Sequence, residues 1–514
     1  MQRSVGGAAC APVVPTHRDL EGPTTMLGSY RATPPLPTIT ALGVITMLPS
    51  CVLPQPATGP LRVGTDNPRY FADPAGKIVY LTGSHTWSNL KDMGATDPPA
   101  PFDYPGYLDM LHTYGHNFIR LWTWELSRYG YGGKSTYCEQ FPWPRTGPGN
   151  ALDGRPRFDL SKLDEAYFRR LRQRVEAAGE RGIYVSIMLF EGHGLHASDA
   201  PWCWDGHPFN AANNINGVDG DPDGDGRGVE TQALQVPEVT AIQEAYVLKV
   251  IQTVNDLDNV LYEIVNESGA YSTAWQVHFI DLIHERERAI GRQHPVGMTF
   301  QYHRDEKLRG TNKTLFESPA DWISPNPDGG YSTDPPDGKG AKVILNDTDH
   351  LWGIGGNRQW VWKSFCRGLN PIFMDPCSPP IEAEGVGDPQ VTWTDHLTGL
   401  SRLDARWDPI RRSMGYTLKY ASRMNLAKAT PHGGLASSGY CLADPGTEYL
   451  IYAPEGGQVT IDLSGARGIF ASEWFDPSQG KALAAGSVEG NAGRTLKAPF
   501  GGDAVLYLRR GAAE

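Results

Sequence analysis

The sequence predicts an α/β protein: a (β/α)8 TIM barrel followed by a small all-β sandwich domain. Strand-like and helix-like segments alternate about eight times between residues 61 and 428. One strand, residues 260–268, is a near-continuous apolar run, as in a parallel strand covered by helices. From residue 429 onward, short alternating strands are separated by Gly, Pro and Asp turns. A doubly wound sheet would need a Gly-rich phosphate turn after an early strand, and we find none.

The individual elements follow from hydrophobic periodicity and from turn residues. Residues 61–87 read as a hairpin, and its second strand, ending near Ser84 and His85, is the first barrel strand. The other predicted barrel strands are 118–125, 183–194, 260–268, 295–304, 320–327, 341–353 and 371–376. The predicted helices are 104–117, 164–182, 237–256, 272–291, 357–371 and about 407–428.

The amino-acid composition indicates what kind of molecule the protein binds. The 514-residue chain is 40% hydrophobic, has a net charge of −12 and shows no basic stripe, which argues against a nucleic-acid partner. It contains 14 Trp and 22 Tyr, and aromatic side chains with an acidic balance suit a carbohydrate partner, because sugar faces stack on aromatic rings. No run of 18 apolar residues occurs, so we expect no transmembrane segment.

Residues 1–60 form a separate leader, predicted to be disordered, before the barrel (61–428) and the β-sandwich (429–514). The leader is rich in Pro, Ser and Thr, and its apolar stretch 38–48 precedes Cys51. Read from Met26, it has the shape of a signal peptide, and residues 48–51 loosely resemble a lipoprotein cleavage box with a lipid anchor at Cys51. We therefore expect a secreted, periplasmic or cell-surface protein. The alternative is a leader with no role in export.

Carboxylates follow two of the predicted barrel strands. Glu267 ends the fourth strand, and Asp347 and Asp349 end the seventh, on the opposite side of the barrel mouth. Two facing carboxylates are what glycoside hydrolysis requires: one protonates the leaving oxygen, and the other attacks the anomeric carbon or activates water. The structural alternative is that Glu267 caps the next helix, Asp347 caps a turn and Asp349 pairs with an arginine.

Four segments carry a family resemblance. NPRYFADPAGKIVYLTGSHTW, YEIVNES, KVILNDTDHLWG and FGGDAVLYL resemble the apiosidase-like "cellulase-family" glycosidases, within the clan of retaining (β/α)8 glycosidases. Those proteins carry a C-terminal domain labelled as collagen-binding. The resemblance covers roughly residues 62–512 and is specific for fold and reaction type rather than for substrate.

The resemblance implies roles for individual residues. Glu267 would be the acid/base, Asn266 would hold the sugar 2-hydroxyl, and Arg120 would keep the nucleophile ionised. The nucleophile position falls on Asp347, where the clan has Glu, and an aspartate reaches one methylene less far. Asp349 is therefore a rival for this role.

Further side chains near strand ends are candidates for a sugar-binding subsite. Each of them has the alternative of a packed or loop-stabilising residue. They are His85, Trp87, Trp124, Glu125, Glu191, His193, Tyr302, His303, Asn326, His350, Trp352 and Asp375.

An acidic segment after the third strand matches a calcium-loop pattern. Asp219, Asp221, Asp223 and Glu230 fall in register, and Asp225 is a further candidate ligand. Pro222 and the missing entering helix distinguish the segment from an EF-hand, so the prediction is a structural Ca²⁺ loop. The alternative is a solvated acidic turn. No cofactor is expected for catalysis.

The seven cysteines lack metal-ligand spacing. Cys138 with Cys203, and Cys366 with Cys377, are each candidates for a disulfide or for buried thiols.

Together these observations predict a secreted glycoside hydrolase acting on plant or microbial polysaccharide with retention of configuration. The alternatives are a catalytically inactive carbohydrate-binding protein on the same scaffold and, from the label of the C-terminal domain, a matrix-adhesion protein.

Overall fold

The computed structural model describes residues 57–94, 96–131, 134–196, 202–376 and 405–511. The predicted leader up to residue 56, and Cys377, lie outside the described residues. Cys51–Glu514 form one compact unit. No helix in the described ranges is long and apolar enough to cross a membrane.

Short strands and longer parallel strands alternate through the first part of the chain. In chain order they are β1 (Arg62–Val63), β2 (Phe71–Ala72), β3 (Ile78–Val79), β4 (Gly83–His85), β5 (Asp92–Gly94), β6 (Phe118–Leu121), β7 (Arg128–Tyr131), β8 (Lys134–Glu139), β9 (Arg145–Asn150), β10 (Pro156–Phe158), β11 (Tyr184–Glu191), β12 (Val260–Asn266), β13 (Val296–Thr299), β14 (Trp322–Ser324), β15 (Val343–Asp347) and β16 (Asn370–Met374).

The helices lie between the parallel strands. They are α1 (Tyr104–Tyr114), α2 (Glu165–Gly179), α3 (His193–His196), α4 (Trp202–Asp205), α5 (Pro237–Val254), α6 (Thr273–Ile290), α7 (Asn312–Glu317), α8 (Thr348–Trp352), α9 (Arg358–Cys366) and α10 (Asp408–Arg423). Local chemistry sets their ends: the Asp164 side chain accepts a hydrogen bond from the Ala166 amide at the start of α2, and α6 stops at Gly291 with φ 83°.

Eight parallel strands form the barrel, in the order β4-β16-β15-β14-β13-β12-β11-β6. A parallel bridge between Thr86 and Leu121 connects the two ends of this sheet. All seven residues of β12 are buried, as its apolar run predicts. The predicted barrel is therefore confirmed, and the carboxyl ends of its strands meet at one mouth.

The loops after β4 and β6 contain structure that the sequence pattern does not predict. Strands β5, β8 and β7 form an antiparallel sheet, and β9 and β10 form a hairpin. At the opposite end of the barrel, β1–β3 form a second small sheet, from which Phe71 packs with Leu81 and Phe118 under the strands. One end is thus filled with apolar side chains, and the other carries the polar groups described below.

The C-terminal region is all-β. Its strands are β17 (Thr430–Pro431), β18 (Cys441–Asp444), β19 (Glu448–Ala453), β20 (Gln458–Asp462), β21 (Ile469–Asp476), β22 (Lys481–Glu489), β23 (Gly493–Lys497) and β24 (Ala504–Arg510). They form a six-stranded sheet, β17-β18-β19-β24-β21-β22, and a two-stranded sheet, β20-β23. The predicted all-β region is confirmed; a boundary at residue 429 stays a prediction.

The β-domain packs against two barrel helices. Trp362 of α9 stacks on Tyr452 of β19, with ring centroids 6.1 Å apart. Arg358 of α9 donates hydrogen bonds to both carboxylate oxygens of Asp503, at 3.0 and 3.2 Å from Nε. An apolar cluster that includes Tyr420 of α10 connects the two parts.

Candidate active site

Arg120 lies at the centre of the polar cluster in the barrel mouth. It is 1% exposed on β6, and its guanidinium donates to four side chains. Nη1 lies 2.9 Å from Asp347 Oδ2 and 3.0 Å from Asp349 Oδ2, while Nη2 lies 2.7 Å from Asn266 Oδ1. The sequence resemblance placed Arg120 beside these residues, and the structure brings them together.

Glu263 is the fourth partner of Arg120. The two side chains form a bidentate ion pair, with Nε 2.8 Å from Oε2 and Nη2 2.5 Å from Oε1. This pair orients the guanidinium, because a fork-to-fork contact fixes both position and plane. Sequence analysis did not single out Glu263 as a site residue. The available signal was a lone carboxylate within the apolar run of β12.

Asp347 is fully buried, and both of its oxygens accept hydrogen bonds. Oδ1 accepts from His85 Nε2 and from the Asp349 amide, each at 3.0 Å, and Oδ2 accepts from Arg120. Trp122 Nε1–H donates to His85 Nδ1 at 2.9 Å, so His85 carries its proton on Nε2. Burial opposes ionisation of Asp347, but His85 and Arg120 outweigh it and hold its pKa below the usual range.

Asp349 is the more accessible of the two aspartates. It is 8% exposed against 0% for Asp347. Its Oδ2 accepts from Arg120, and in the described part of the chain Oδ1 has no hydrogen-bond donor. Burial raises its pKa to about 6, and the charge of Asp347 adds to this against the opposing effect of Arg120.

Glu267 follows β12 in an uncommon backbone conformation. Its φ is 50°, in the left-handed region that non-glycine residues seldom occupy. The His196 Nε2–H donates to the Glu267 carbonyl oxygen at 2.6 Å and supports this turn. The side chain is half-buried. Burial and then the negative charge of Asp349 and Glu191 raise its pKa well above the usual range, with Arg120 opposing.

His350 and Ser324 complete the polar network around Asn266. Ser324 Oγ lies 2.6 Å from His350 Nδ1, and His350 Nε2 lies 3.3 Å from Asn266 Oδ1. Burial lowers the pKa of His350 to about 3, so its imidazole is neutral. Asn266 thus accepts from two donors, which fixes the orientation of its amide at the end of β12.

Several predicted subsite residues lie together beside Glu267. His193 stacks on Tyr302 with ring centroids 6.0 Å apart, and His196 stacks on His303 at 4.6 Å. These four rings are named here the histidine–tyrosine wall. His196 was missed by sequence analysis, although it lies three residues after the predicted His193. Tyr302 and His303 are half-buried and present ring surface in the mouth.

Two further predicted subsite residues, Glu191 and Glu125, are buried glutamates. Glu191 Oε2 accepts from the Gly194 amide at 3.0 Å, and Glu125 Oε2 accepts from the Glu191 amide at 3.3 Å. Burial raises the pKa of each carboxyl to about 8. Both therefore bind a proton readily near neutral pH.

The remaining predicted subsite residues mainly form ion pairs, hydrogen bonds and ring contacts with other residues of the protein. Asp375 is fully buried and forms a bidentate ion pair with Arg411, with Nε 2.6 Å from Oδ2 and Nη2 2.7 Å from Oδ1. Trp124 is buried against Trp122, with ring centroids 5.7 Å apart, and donates Nε1–H to the Trp87 carbonyl. The other two are Asn326, which is buried and accepts from the Asp328 amide, and Trp352, which is 37% exposed.

In the acidic segment, three of the five predicted metal ligands converge. One carboxylate oxygen each of Asp221, Asp223 and Glu230 lies within 4.8 Å of the others. The carboxylates of Asp219 and Asp225 are outside this group and accept hydrogen bonds from the amides of Asp221 and Arg227. Burial, and then the charge of Asp223 and Asp221, raise the pKa of Glu230 to about 7.

The described cysteines are all buried, and no disulfide joins any two of them: Cys138, Cys203, Cys366 and Cys441. The candidate disulfide between Cys138 and Cys203 is therefore not formed. The pairing of Cys366 with Cys377 falls partly outside the described residues.

Similarity to known proteins agrees with this architecture. Residues 134–308 match the family described as a domain of unknown function (DUF6298). Residues 435–509 match the family described as "putative collagen-binding domain of a collagenase". Among curated proteins, no significant match is found.

Solved glycoside hydrolases share the fold over most of their length. A family 5 glycoside hydrolase from Bacteroides vulgatus ATCC 8482 matches with a TM-score of 0.53 and 14% identity, over 88% of this chain and 94% of that one. Another structure, described as a glycoside hydrolase, matches with a TM-score of 0.52 and 12% identity, over 89% and 98%. The chain has a glycoside hydrolase fold. The resemblance noted in the sequence is confirmed at the level of the fold.

Proposed function

We propose that the protein is a glycosidase that cleaves an O-glycosidic bond with Glu267 as the general acid. The observation that carries this proposal is the half-buried Glu267 carboxyl at the end of β12, whose pKa is raised by burial and by Asp349. A raised pKa keeps a carboxyl protonated to higher pH than usual, and a protonated carboxyl can deliver a proton to a leaving oxygen. Its partner would be one of the carboxylates that accept hydrogen bonds from Arg120. Arg120 with Glu263, Asp347 and Asp349 is named the Arg120 cluster.

Asp349 is the better candidate for that partner. Both oxygens of Asp347 are held by hydrogen bonds and the residue is fully buried, so its geometry suits a positioning role for Arg120 and Asp349. Asp349 is slightly exposed and has an oxygen available for an anomeric carbon or for a water molecule. We therefore prefer Asp349 as the partner carboxylate of Glu267, although the sequence resemblance favours Asp347. We also propose that the reaction proceeds with retention of configuration and that the substrate is a plant or microbial polysaccharide. The proposed location is secreted or at the cell surface.

The histidine–tyrosine wall would form one side of the sugar subsite. The rings of His193 and His196 are neutral, because burial lowers their pKa to about 4 and about 3. Neutral imidazoles and the Tyr302 ring offer stacking surface and hydrogen bonds without a net charge, which suits an uncharged sugar. A catalytically inactive carbohydrate-binding protein would use the same surface, so turnover has to be measured directly.

The test is hydrolysis of a panel of aryl glycosides by the wild type and by Glu267→Ala, Asp347→Ala and Asp349→Ala, with sodium azide added to each. Asp328→Ala is the matched control, because Asp328 is exposed beyond β14 at the same end of the barrel. We expect Glu267→Ala to lose about 10²–10⁴-fold in kcat on poor leaving groups, as for other general acids, and azide to restore turnover on activated ones. The control should match the wild type.

The azide adducts assign the roles. A glycosyl azide of retained configuration from Glu267→Ala marks the acid/base, and one of inverted configuration from Asp349→Ala marks the nucleophile. An inverted adduct from Asp347→Ala would instead give the role to Asp347. Full activity in all three variants would contradict the proposed site. Glycan binding without turnover by the wild type would favour the carbohydrate-binding alternative.

A further inference from the structure

The acidic segment between β11 and α5 contains a second cluster of carboxylates. Asp221, Asp223 and Glu230 each place one oxygen within 4.8 Å of the other two. Like charges at this distance repel one another, and among the described residues no lysine, arginine or histidine forms an ion pair with any of the three. The chain nevertheless turns back over residues 221–230 to bring the three side chains together.

Glu230 provides an independent observation that points to a ligand. Its side chain is 6% exposed, and its buried Oε2 has no hydrogen-bond partner among the described residues. A buried carboxylate oxygen without a partner is costly, so such an atom normally faces a cation or a donor.

The backbone holds Glu230 in this position. The residue belongs to a short 3₁₀ turn, Val229–Gln232. Gln243 Nε2 donates to the Thr231 carbonyl at 2.9 Å, and Gln232 Nε2 donates to the Glu191 carbonyl at 3.1 Å. The carboxylate is therefore presented to the cluster by a turn that is fixed to α5 and to β11.

We propose that Asp221, Asp223 and Glu230 bind a Ca²⁺ ion. All three ligands are hard oxygens, with neither sulfur nor imidazole in the group, which favours a hard cation such as Ca²⁺ or Mg²⁺ over Zn²⁺ or Cu²⁺. Ca²⁺ accepts six to eight oxygens in irregular geometry, so carbonyls and water can supply the rest, whereas Mg²⁺ requires a near-ideal octahedron. Asp219 and Asp225 stay outside the ligand set because their carboxylates are not part of the convergent group. Amide contacts do not separate the two sets, since Asp221 and Asp223 also accept from the amides of Asp225 and Gly226.

The site also has a route to Glu267, and this step rests on the proposed function. Arg227, inside the segment, donates from Nη1 to the His196 carbonyl at 3.4 Å. His196 in turn donates to the Glu267 carbonyl at 2.6 Å. A bound ion that orders the segment would therefore support the left-handed turn at the general acid.

Trp204 provides a built-in reporter for the ion. A Cβ atom on Gly220 or on Gly228 would overlap its ring, so both ends of the acidic segment lie directly against the indole. The ring is buried, at 6% exposed. Tb³⁺, which takes oxygen sites of the Ca²⁺ type, emits when a tryptophan this near is excited.

The experiment titrates Tb³⁺ into the EDTA-treated full chain, with excitation of tryptophan, and then displaces it with Ca²⁺ or Mg²⁺. The variants are Asp223→Asn, which changes an exposed ligand and so preserves folding, and Glu230→Gln. Asp225→Asn is the control, with the same charge change in the same segment. We expect saturable emission, displacement by Ca²⁺ before Mg²⁺, and about tenfold or greater weakening in the two ligand variants, since affinity follows the charged ligands. The control should stay within about threefold of the wild type.

Thermal unfolding gives a second readout that does not depend on activity. Ca²⁺ should raise the melting temperature of the wild type and of Asp225→Asn, and at the same Ca²⁺ concentration should raise that of Asp223→Asn by less, because the stabilisation depends on how much ligand is bound. Absence of saturable emission, or equal titrations in all variants, would overturn the site. A site that binds Ca²⁺ in a protein that hydrolyses no glycoside would refute the proposed function while leaving this inference standing.

Discussion

Among the residues that the structure describes, two buried arginines of the barrel differ in how many carboxylates they face. Arg411 holds Asp375 in a bidentate pair, with the partly exposed Asp408 at 3.1 Å. Arg120 faces the fully or nearly fully buried Glu263, Asp347 and Asp349. Burial and the surplus of negative charge around Arg120 raise the pKa of Asp349 within this group. We infer that the Arg411 pair holds the structure together and that the Arg120 cluster is arranged for chemistry.

The largest expected effect in this comparison is on turnover by Asp349→Asn. The change should reduce kcat by about 10³-fold or more, since it removes the proposed nucleophile or base. Unfolding of the variant at pH 7 should require the same denaturant concentration or more. The reason is that the raised pKa of Asp349 makes its ionisation unfavourable to folding as pH rises from about 4 to about 6. A variant that is both inactive and strongly destabilised would contradict this distinction.

The complementary change is Asp375→Asn. It leaves Arg411 buried without its bidentate partner, so we expect a loss of about 3 kcal/mol in the free energy of unfolding. Turnover per folded molecule should remain close to that of the wild type, because the Arg120 cluster is untouched. Chemical denaturation followed by tryptophan fluorescence, with kcat measured on the same samples, provides the check. A selective loss of kcat with normal stability would move Asp375 into the catalytic site.

The pH profile sharpens the choice between the two aspartates. If Asp349 must be ionised and Glu267 protonated, kcat/KM should rise as pH increases through about 6 and fall again at higher pH, where Glu267 loses its proton. If Asp347 were the ionised partner, the acidic limb should lie below pH ~4, because its pKa is held below the usual range. The position of the acidic limb in the wild type therefore separates the two assignments.

A smaller effect is expected from Glu191→Gln. Glu191 adds to the charge that raises the pKa of Glu267, so removing its charge should move the alkaline limb of kcat/KM to lower pH. Glutamine can still accept from the Gly194 amide, which preserves the local turn. Asp328→Asn should leave the limb in place, and equal shifts in both variants would indicate a general electrostatic effect.

The sequence predicted the barrel and the two carboxylate positions because both follow from local pattern. Glu267 and Asp347 end apolar runs, and the ends of such runs point to the barrel mouth. The pairing of Arg120 with Glu263 was not predictable in the same way. It depends on strand register, with Ser186 of β11 level with both Arg120 and Leu261. Periodicity in one strand carries no information about that register.

Long-range partners account for the other differences. Asp375 followed the pattern of a mouth residue, but Arg411, 36 positions later on α10, neutralises it. Strand β9, RTGPGN, contains Gly and Pro and no apolar alternation, so only its pairing with β10 makes it a strand. The calcium-loop pattern pointed to the segment in which three carboxylates converge, whereas which oxygens converge depends on how the turn at Glu230 is anchored.

The contact between the barrel and the β-domain has a consequence for how this protein can be divided. Tyr420 of α10, Trp362 of α9 and Tyr452 of β19 belong to one apolar cluster, so a barrel cut after residue 429 would expose a large hydrophobic flank to water. Such a fragment should aggregate unless a substitute surface covers it. The C-terminal domain therefore covers an apolar surface of the barrel that must stay buried. A chimera that exchanges barrels between such proteins should transfer α9, α10 and the β-domain together.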